Sequence, residues 1–236
     1  MTFCTGGGML LGEIIQVYFA RQEYFHELLL EHLQLSAIAI VLALAIGLLL
    51  GILIAEQDKF SLPVLGTINF IYTIPSIALF GILLPVTGLG NTTAIIALTV
   101  YALLPMVRNT YAGLTNINPV ILEAGVGMGS TRWQLLWKIK LPLALPVIMA
   151  GVRNMVVMVI ATCGIASFIG AGGLGVAIFR GITTYQLPLT YLGSLMIAAV
   201  ALLCDILLGV VEKRITLRVN GNIPERSKKA NRINHK

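Results

Sequence analysis

Residues 116–142 read NINPVILEAGVGMGSTRWQLLWKIKLP and lie between long apolar runs of the chain. This segment holds Glu123-Ala124-Gly125, then Gly129, and finally Ile139-Lys140-Leu141-Pro142. A simple membrane anchor has no need of a polar loop of this length between two spans. We therefore interpret residues 116–142 as a working part of a protein that crosses the membrane several times.

The composition of the whole chain also indicates a membrane protein. Hydrophobic residues make up 57% of the 236 residues and charged residues only 11%, whereas soluble domains have roughly 25% charged residues. The net charge of +6 does not indicate a nucleic-acid partner, because eight of the sixteen Lys and Arg residues lie at Lys213 or beyond. A basic tail after the last apolar run is typical of a cytoplasmic segment near anionic lipids. An unstructured tail without a specific partner is the alternative beyond Asn220.

Five apolar runs are candidates for transmembrane helices, which need about 20 residues to cross the hydrocarbon core. They are Leu35–Ala55, Leu62–Val86, Thr92–Val107, Leu143–Ile169 and Leu192–Val211. Five spans place the two ends of the chain on opposite sides of the membrane. With the tail inside, thirteen of the sixteen basic residues are cytoplasmic, as the positive-inside rule requires. The N-terminus is therefore predicted outside and the loop around Glu123 in the cytoplasm.

Residues 13–33 precede the first run and are predicted not to span the membrane. They hold four glutamates and Arg21, which are too costly to place in the bilayer. Their apolar residues instead favour an amphipathic helix along the outer interface, with Leu28, Leu29, Leu30 and Leu33 on its apolar side.

The predicted organisation is one membrane domain with two short appendages. An extracytoplasmic arm (1–34) precedes the transmembrane domain (35–211), and a basic cytoplasmic tail (212–236) follows it. The histidines lie on the arm or the tail, at His26, His32 and His235. We expect all three to be exposed to solvent.

Local signals in residues 116–142 predict two short helices. Asn118 and Pro119 predict the N-cap and first position of one helix, which would lose order between Gly125 and Gly129. Ser130 would cap a second helix with one face formed by Trp133, Leu136, Trp137 and Lys140, and Pro142 would mark the turn into the fourth span. The two Trp residues would anchor this helix at the lipid headgroups or pack it against the bundle.

The spacing E-A-x-x-x-x-G-x(9)-I-x-L-P resembles the cytoplasmic EAA loop of permease subunits in bacterial ATP-driven (ABC) importers. In that family the loop forms a short helix that docks into a groove on the ATPase subunit. The resemblance assigns ATPase coupling to Glu123, Ala124, Gly125, Gly129, Ile139, Leu141 and Pro142. Gly125 departs from the pattern, because the family usually has a second alanine there. Without the resemblance, Glu123 would be interpreted as a solvated loop acid.

Two further stretches resemble the permeases for glycine betaine, carnitine, choline and related osmoprotectants. They are Ile71–Ser76, which reads IYTIPS, and Ser167–Gly175, which reads SFIGAGGLG. The resemblance extends from about Glu31 to Leu217. It implies an all-α integral membrane protein with the type I ABC importer permease fold, having about five transmembrane helices and a cytoplasmic coupling helix.

The resemblance also implies partners in a bacterial cytoplasmic membrane. They are two ABC ATPase subunits, a second permease that is identical or homologous, and an extracytoplasmic substrate-binding protein. The chain has no G-x-x-x-x-G-K-[ST] phosphate loop, so ATP-Mg is expected on the partner ATPase. The spacing of its Cys and His residues suggests no metal site, and we expect a non-catalytic subunit without a cofactor of its own.

The second span offers the best candidate for the translocation path. Asn69, Tyr72, Thr73 and Ser76 surround Pro75, and a proline frees a backbone carbonyl that can line a polar cavity. A helix kink whose Ser and Thr only satisfy the backbone is the alternative. Quaternary ammonium ions favour aromatic faces, and in this cluster only Tyr72 offers one. A single aromatic ring fits transient passage of such a substrate better than tight binding.

Two charged residues, Arg153 and Asp205, fall inside the predicted membrane spans. We expect them to pair between the fourth and fifth spans, or to reach the cytoplasmic surface, rather than to contact substrate. Gly47 and Gly51 form a GxxxG pair, interpreted as helix packing rather than a dimer seam. The glycines from Gly170 to Gly175 predict a flexible outer connection or a broken helix.

The sequence is therefore interpreted as the permease subunit of an ABC importer for glycine betaine, carnitine or choline, working by alternating access. The same machinery importing an amino acid or another small zwitterion is the alternative. A passive channel and a membrane enzyme acting on lipid are more remote alternatives.

Overall fold

The computed structural model describes residues 6–221, and every regular element in that range is helical, which confirms the all-α prediction. The α-helices are α1 (Gly6–Ala20), α2 (Gln22–Glu56), α3 (Ser61–Thr73), α4 (Ser76–Thr87), α5 (Asn91–Thr115), α6 (Pro119–Gly127), α7 (Arg132–Leu135), α8 (Leu141–Cys163), α9 (Gly175–Thr183) and α10 (Leu187–Gly221). Turns of 3₁₀ helix lie at Asp58–Phe60 and Gly164–Ile169, and a π turn lies at Leu136–Lys140. Cys4, His235 and most of the basic tail lie outside the described residues.

Four stretches in the described range are long and apolar enough to cross a membrane as single helical segments. They are Gln22–Glu56, Asn91–Thr115, Arg132–Ile169 and Leu187–Val219. Each contains one of the predicted runs, and all but Arg132–Ile169, which ends with its run at Ile169, extend beyond the run at both ends. There is a fifth crossing only if α3 and α4 together form one bent span.

The second predicted run, Leu62–Val86, does not form one straight span. Helices α3 and α4 meet at Pro75 with a bend of 100°. Ile74 has extended backbone angles (φ −69°, ψ 126°), because the ring of the following proline disfavours the helical conformation at the residue before it. The predicted break at Pro75 is therefore present, but it is sharp enough to make this region either a broken span or a re-entrant loop.

The outer arm and the first span differ from the prediction, because they share one continuous helix. Helix α2 begins at Gln22 and runs for 35 residues to Glu56, which is about 52 Å at 1.5 Å per residue. Since the hydrocarbon core is only about 30 Å thick, the charged N-terminal turns extend beyond it. Phe25, Leu28 and Leu35 form the buried face of these turns, while Glu23 and Glu27 lie on the exposed side.

His32 is buried, and the expectation that it is solvated was wrong. Its side chain is fully excluded from solvent, and Nε2 donates to the carbonyl oxygen of Ile160 at 3.1 Å. His32 follows Phe25 and Leu28 by seven and four residues, so it falls on the same buried face of α2. His26 is exposed, as predicted.

Helix α5 lies at the centre of the bundle, between α2 and α8. On the α2 side, a Cβ atom placed on Gly47 would lie 2.8 Å from Cβ of Met106, and one on Gly51 would lie 2.5 Å from Cβ of Thr110. On the α8 side, a Cβ on Gly151 would lie 2.5 Å from Cβ of Asn109. Small residues allow membrane helices to pack this closely, so the GxxxG pair serves helix packing within the chain.

Candidate functional site

The loop between α5 and α8 forms a short, well-capped helix, α6. The Asn118 side chain accepts a hydrogen bond from the Val120 N–H at 3.0 Å, and Pro119 occupies the first turn, as predicted. The helix continues to Gly127, past the point where the sequence suggested a loss of order. Two residues beyond its end, Gly129 has a φ of +80°, which favours glycine, and the Ser130 N–H donates to the Gly125 carbonyl at 3.1 Å.

Gly125, the departure from the EAA pattern, is the buried residue of α6. A Cβ atom at this position would lie 2.8 Å from Cδ1 of Leu135 and 2.8 Å from Cδ1 of Ile139. The missing side chain lets α6 lie directly against the segment that leads into α8. Gly125 and Ile139 come from opposite ends of the motif, so the spacing brings its two halves together in space.

The second short helix, α7, is capped by Thr131 and not by Ser130. The Thr131 side chain accepts from the Gln134 N–H at 3.3 Å, and the Gln134 side chain accepts from the Thr131 N–H at 3.0 Å. This reciprocal capping box satisfies two backbone donors at the start of the helix. The Thr-x-x-Gln pattern was visible in the sequence and identifies Thr131 as the cap.

A π turn at Leu136–Lys140 changes which residues share a face after α7. Leu136 is buried, whereas Trp133 and Trp137 remain 68% and 49% exposed, with their ring centroids 5.5 Å apart. The extra residue in a π turn rotates the following side chains relative to an α-helix, so the predicted single face does not form. The exposed rings fit anchoring at lipid headgroups better than packing against the bundle.

An ion pair attaches this loop to the end of α2. Lys140 Nζ lies 2.6 Å from Glu56 Oε1, with both side chains largely shielded from solvent. Within residues 119–142 the packing of Gly125 on Ile139 holds α6 against the turn that leads into α8, and the pairing of Lys140 with Glu56 joins the segment to α2.

The outer face of α6 is apolar and exposed, with a single carboxylate. Val120 is 67% exposed, Glu123 and Ala124 are also exposed, and Met128, just beyond the end of the helix, is 79% exposed. Contiguous exposed apolar surface on a polar loop indicates an interaction site. An apolar face with one acid suits a protein groove that supplies a complementary basic residue.

A cavity of about 570 Å³ opens between α3, α5 and α8. The residues that line it are Tyr72, Leu104, Pro105, Arg108, Asn109, Ala112, Asn154 and Met158. Of the predicted path residues, Tyr72 lines this cavity, whereas Asn69, Thr73, Pro75 and Ser76 do not. Thr73 Oγ1 donates to the Phe70 carbonyl at 2.7 Å, which agrees with the alternative that Thr73 satisfies the backbone near the kink.

The predicted pairing of the two intramembrane charges is confirmed, and it includes a third residue. Arg153 Nε donates to Asp205 Oδ1 at 2.6 Å and Nη2 to Asp205 Oδ2 at 2.7 Å, while Nη1 donates to Glu212 Oε2 at 3.3 Å. Glu212 follows Asp205 by seven residues, two helical turns further along the same face of α10. This network links α8 to α10 and leaves Arg153 without a free charge for substrate.

The glycine-rich stretch between α8 and α9 is an ordered loop. The Gly172 N–H donates to Asn91 Oδ1 at 3.0 Å, and the Gly173 N–H donates to Glu31 Oε2 at 3.0 Å. Gly173 has a φ of +93° and packs against His32. The helical path is therefore interrupted here, and the loop is attached to both α2 and α5.

A comparison with protein families matches residues 43–217 to the model described as binding-protein-dependent transport system inner membrane component. Among curated relatives, the carnitine transport permease protein OpuCD of Listeria monocytogenes is 39% identical over 206 residues, covering 87% of this chain and 92% of the relative. The osmoprotectant import permease protein OsmW of Salmonella typhimurium is 44% identical over 190 residues, covering 78% and 88%.

Solved structures share the fold at lower sequence identity. An inward-facing structure of the MetNI methionine ABC transporter aligns with a TM-score of 0.73 and 24% identity, covering 79% of this chain and 93% of the matched chain. This likeness supports the type I importer architecture of the helices described above.

Proposed function

The chain belongs to the family of binding-protein-dependent transport system inner membrane components, and from this premise we propose that it carries a quaternary-ammonium osmoprotectant such as glycine betaine, carnitine or choline. It is the permease subunit of an ATP-driven importer and a multi-pass protein of the bacterial inner membrane. The ATPase and the substrate-binding component are separate polypeptides. The osmoprotectant cargo is supported by relatives named for carnitine, osmoprotectant and choline transport.

The exposed face of α6 supports the coupling role most directly. Glu123 and Ala124 lie on this face, while Gly125 packs beneath it against Leu135 and Ile139. A rigid movement of α6 would therefore reach α8 through Ile139 and α2 through the Lys140–Glu56 pair. We assign ATPase docking to Glu123 and Ala124, and assign to Gly125, Gly129, Ile139, Leu141 and Pro142 the task of holding α6 in place.

The mechanism is alternating access. Closure of the ATPase pair on ATP pulls α6 on each permease, and the spans rock to open the path outward. Release of the nucleotide returns them to the inward-facing arrangement. The cargo shifts this equilibrium only through different affinities for the two states.

The assembly contains two ATPase subunits, a second permease that is identical or homologous, and anionic lipids near the basic tail. The N-terminus is outside and the C-terminus cytoplasmic, because this orientation places thirteen of the sixteen basic residues inside. In a variant without native cysteines, Met128→Cys is expected to react with an impermeant maleimide only after cells are opened. Labelling of intact cells at Met128 would reverse the orientation.

Transport by the variant Glu123→Arg tests the proposed function. Reversal of this charge is expected to abolish uptake of labelled glycine betaine, carnitine and choline while the protein still inserts into the membrane. The matched control is Asp58→Arg, which reverses another exposed acid near the cytoplasmic end of α2 and is expected to transport normally. Undiminished uptake by Glu123→Arg would refute the docking role, and absence of uptake of all three compounds by the native protein would refute the proposed cargo.

A further inference from the structure

The cavity between α3, α5 and α8 presents one continuous face of α5. Arg108 and Asn109 follow Pro105 by three and four residues, and all three line the space. Asn154 and Met158 do the same from α8, four residues apart. The volume of about 570 Å³ falls within the range of about 300–1,000 Å³ that is usual for small-molecule sites.

Arg108 gives the cavity its charge. No acidic residue lines the space, and Arg108 forms no salt bridge with any residue between 6 and 221. Arg153 lies in the same half of the bundle but is neutralised by Asp205 and Glu212. A guanidinium left open at a cavity favours a carboxylate, which it can bind through two parallel hydrogen bonds.

The amides beside Arg108 add polar character to the same part of the cavity. Asn109 Nδ2 donates to the Pro105 carbonyl at 2.7 Å, which fixes the orientation of this side chain. Asn154 faces the cavity from α8 and is exposed to it. Amide groups of this kind can donate to a carboxylate already held by an arginine.

Tyr72 and Met158 supply a different chemistry. The Tyr72 ring is 43% exposed, its centroid lies 5.7 Å from that of the buried Tyr101, and its hydroxyl points to Met158 Sδ at 3.7 Å. Aromatic faces attract quaternary ammonium ions, and a methionine adapts to the methyl groups around such an ion.

We propose that this cavity is a transient binding site for a zwitterion, with the carboxylate at Arg108 and the quaternary ammonium group at Tyr72. The inference rests on the proposed function and narrows its cargo. Glycine betaine and carnitine carry both groups, whereas choline carries the ammonium group alone. Arg108, which forms no salt bridge with any residue between 6 and 221, repels a plain cation, so the cavity selects against choline at this point of the path.

Equilibrium binding to the purified permease–ATPase complex, without the binding protein, tests the inference directly. Labelled glycine betaine is expected to bind the native complex and to be displaced by carnitine, with choline at least tenfold weaker as a competitor. Arg108→Gln is expected to weaken glycine betaine binding at least tenfold, and Arg108→Lys to weaken it less. Lys59→Gln removes an exposed positive charge outside the cavity and serves as the matched control, with binding unchanged.

Three results would overturn the inference: no binding to the native complex, equal competition by choline, or unchanged binding in Arg108→Gln. Gel filtration of each complex shows whether a variant has lost its fold. If Arg108→Gln is unstable, Arg108→Lys, which keeps the charge, serves as the test variant. Uptake by the complete importer is measured separately. If uptake of glycine betaine persists while binding fails these tests, the proposed function stands and the site assignment falls.

Discussion

Gly125 and Gly151 both lie buried in helices, but their neighbours differ in how far they can move. A Cβ atom on Gly125 would meet the ends of two flexible side chains, Leu135 and Ile139. A Cβ atom on Gly151 would meet Cβ of Asn109 at 2.5 Å and the backbone oxygen of Pro105 at 3.2 Å. The first pair of neighbours can rotate away, whereas the second is fixed to the α5 backbone.

Alanine substitutions at these two glycines are therefore expected to differ in effect. Gly151→Ala separates α5 from α8 and should reduce the stability by about 1–3 kcal/mol, as overpacking does in cores. Gly125→Ala should cost little, because alanine gains about 0.5–1 kcal/mol over glycine inside a helix. Thermal inactivation in detergent, followed by gel filtration, measures both. Equal losses at the two positions would contradict this account of the packing.

Residue patterns also account for what the sequence could and could not predict. The Asn118-Pro119 start of α6 and the Thr131–Gln134 cap of α7 depend on near neighbours, so local patterns suffice to find them. His32 belongs to the predicted outer arm, where an exposed histidine is the ordinary expectation. The spacing of Phe25, Leu28, His32 and Leu35 already marked a buried helical face.

At the scale of elements, α8 and α10 are linked by the Arg153 network. Asp205 accepts two hydrogen bonds from Arg153 at 2.6 and 2.7 Å, whereas Glu212 accepts one at 3.3 Å. Hydrogen bonds to charged groups strengthen as they shorten and align. Asp205 therefore contributes more than Glu212 to the attachment of α10.

Removing one carboxylate at a time tests this ranking. Asp205→Asn should lower the thermal midpoint of the solubilised protein more than Glu212→Gln, because it leaves Arg153 without its two-point partner. Replacing Arg153 and Asp205 together by Gln and Asn should recover part of the loss, since the guanidinium that lacks its two-point partner is removed and only Glu212, which made the longer contact, loses its partner. A larger effect of Glu212→Gln, or a double variant less stable than Asp205→Asn, would contradict the ranking.

At the scale of the whole molecule, hydrophobicity predicted where four of the spans lie, because it is read locally along the chain, whereas the sharp bend at Pro75 divides the fifth run into α3 and α4. The cavity could not be predicted in the same way. Its lining comes from α3, α5 and α8, and the side chains meet only after these helices pack. Of the residues that line it, Tyr72 alone was predicted from the sequence, through its position near Pro75.

The central claim, that α6 couples this permease to an ATPase, is tested most directly by purifying the tagged chain from native membranes in mild detergent. Mass spectrometry of the separated chains would identify those that co-purify, and the mass of the intact complex would give their stoichiometry. The account predicts that an ATPase with a phosphate loop co-purifies, in two copies for each pair of permeases. The ATPase should be retained by the native chain and by Asp58→Arg, and lost from Glu123→Arg. Recovery of the native chain without an ATPase in repeated preparations, or equal ATPase recovery with Glu123→Arg, would contradict it.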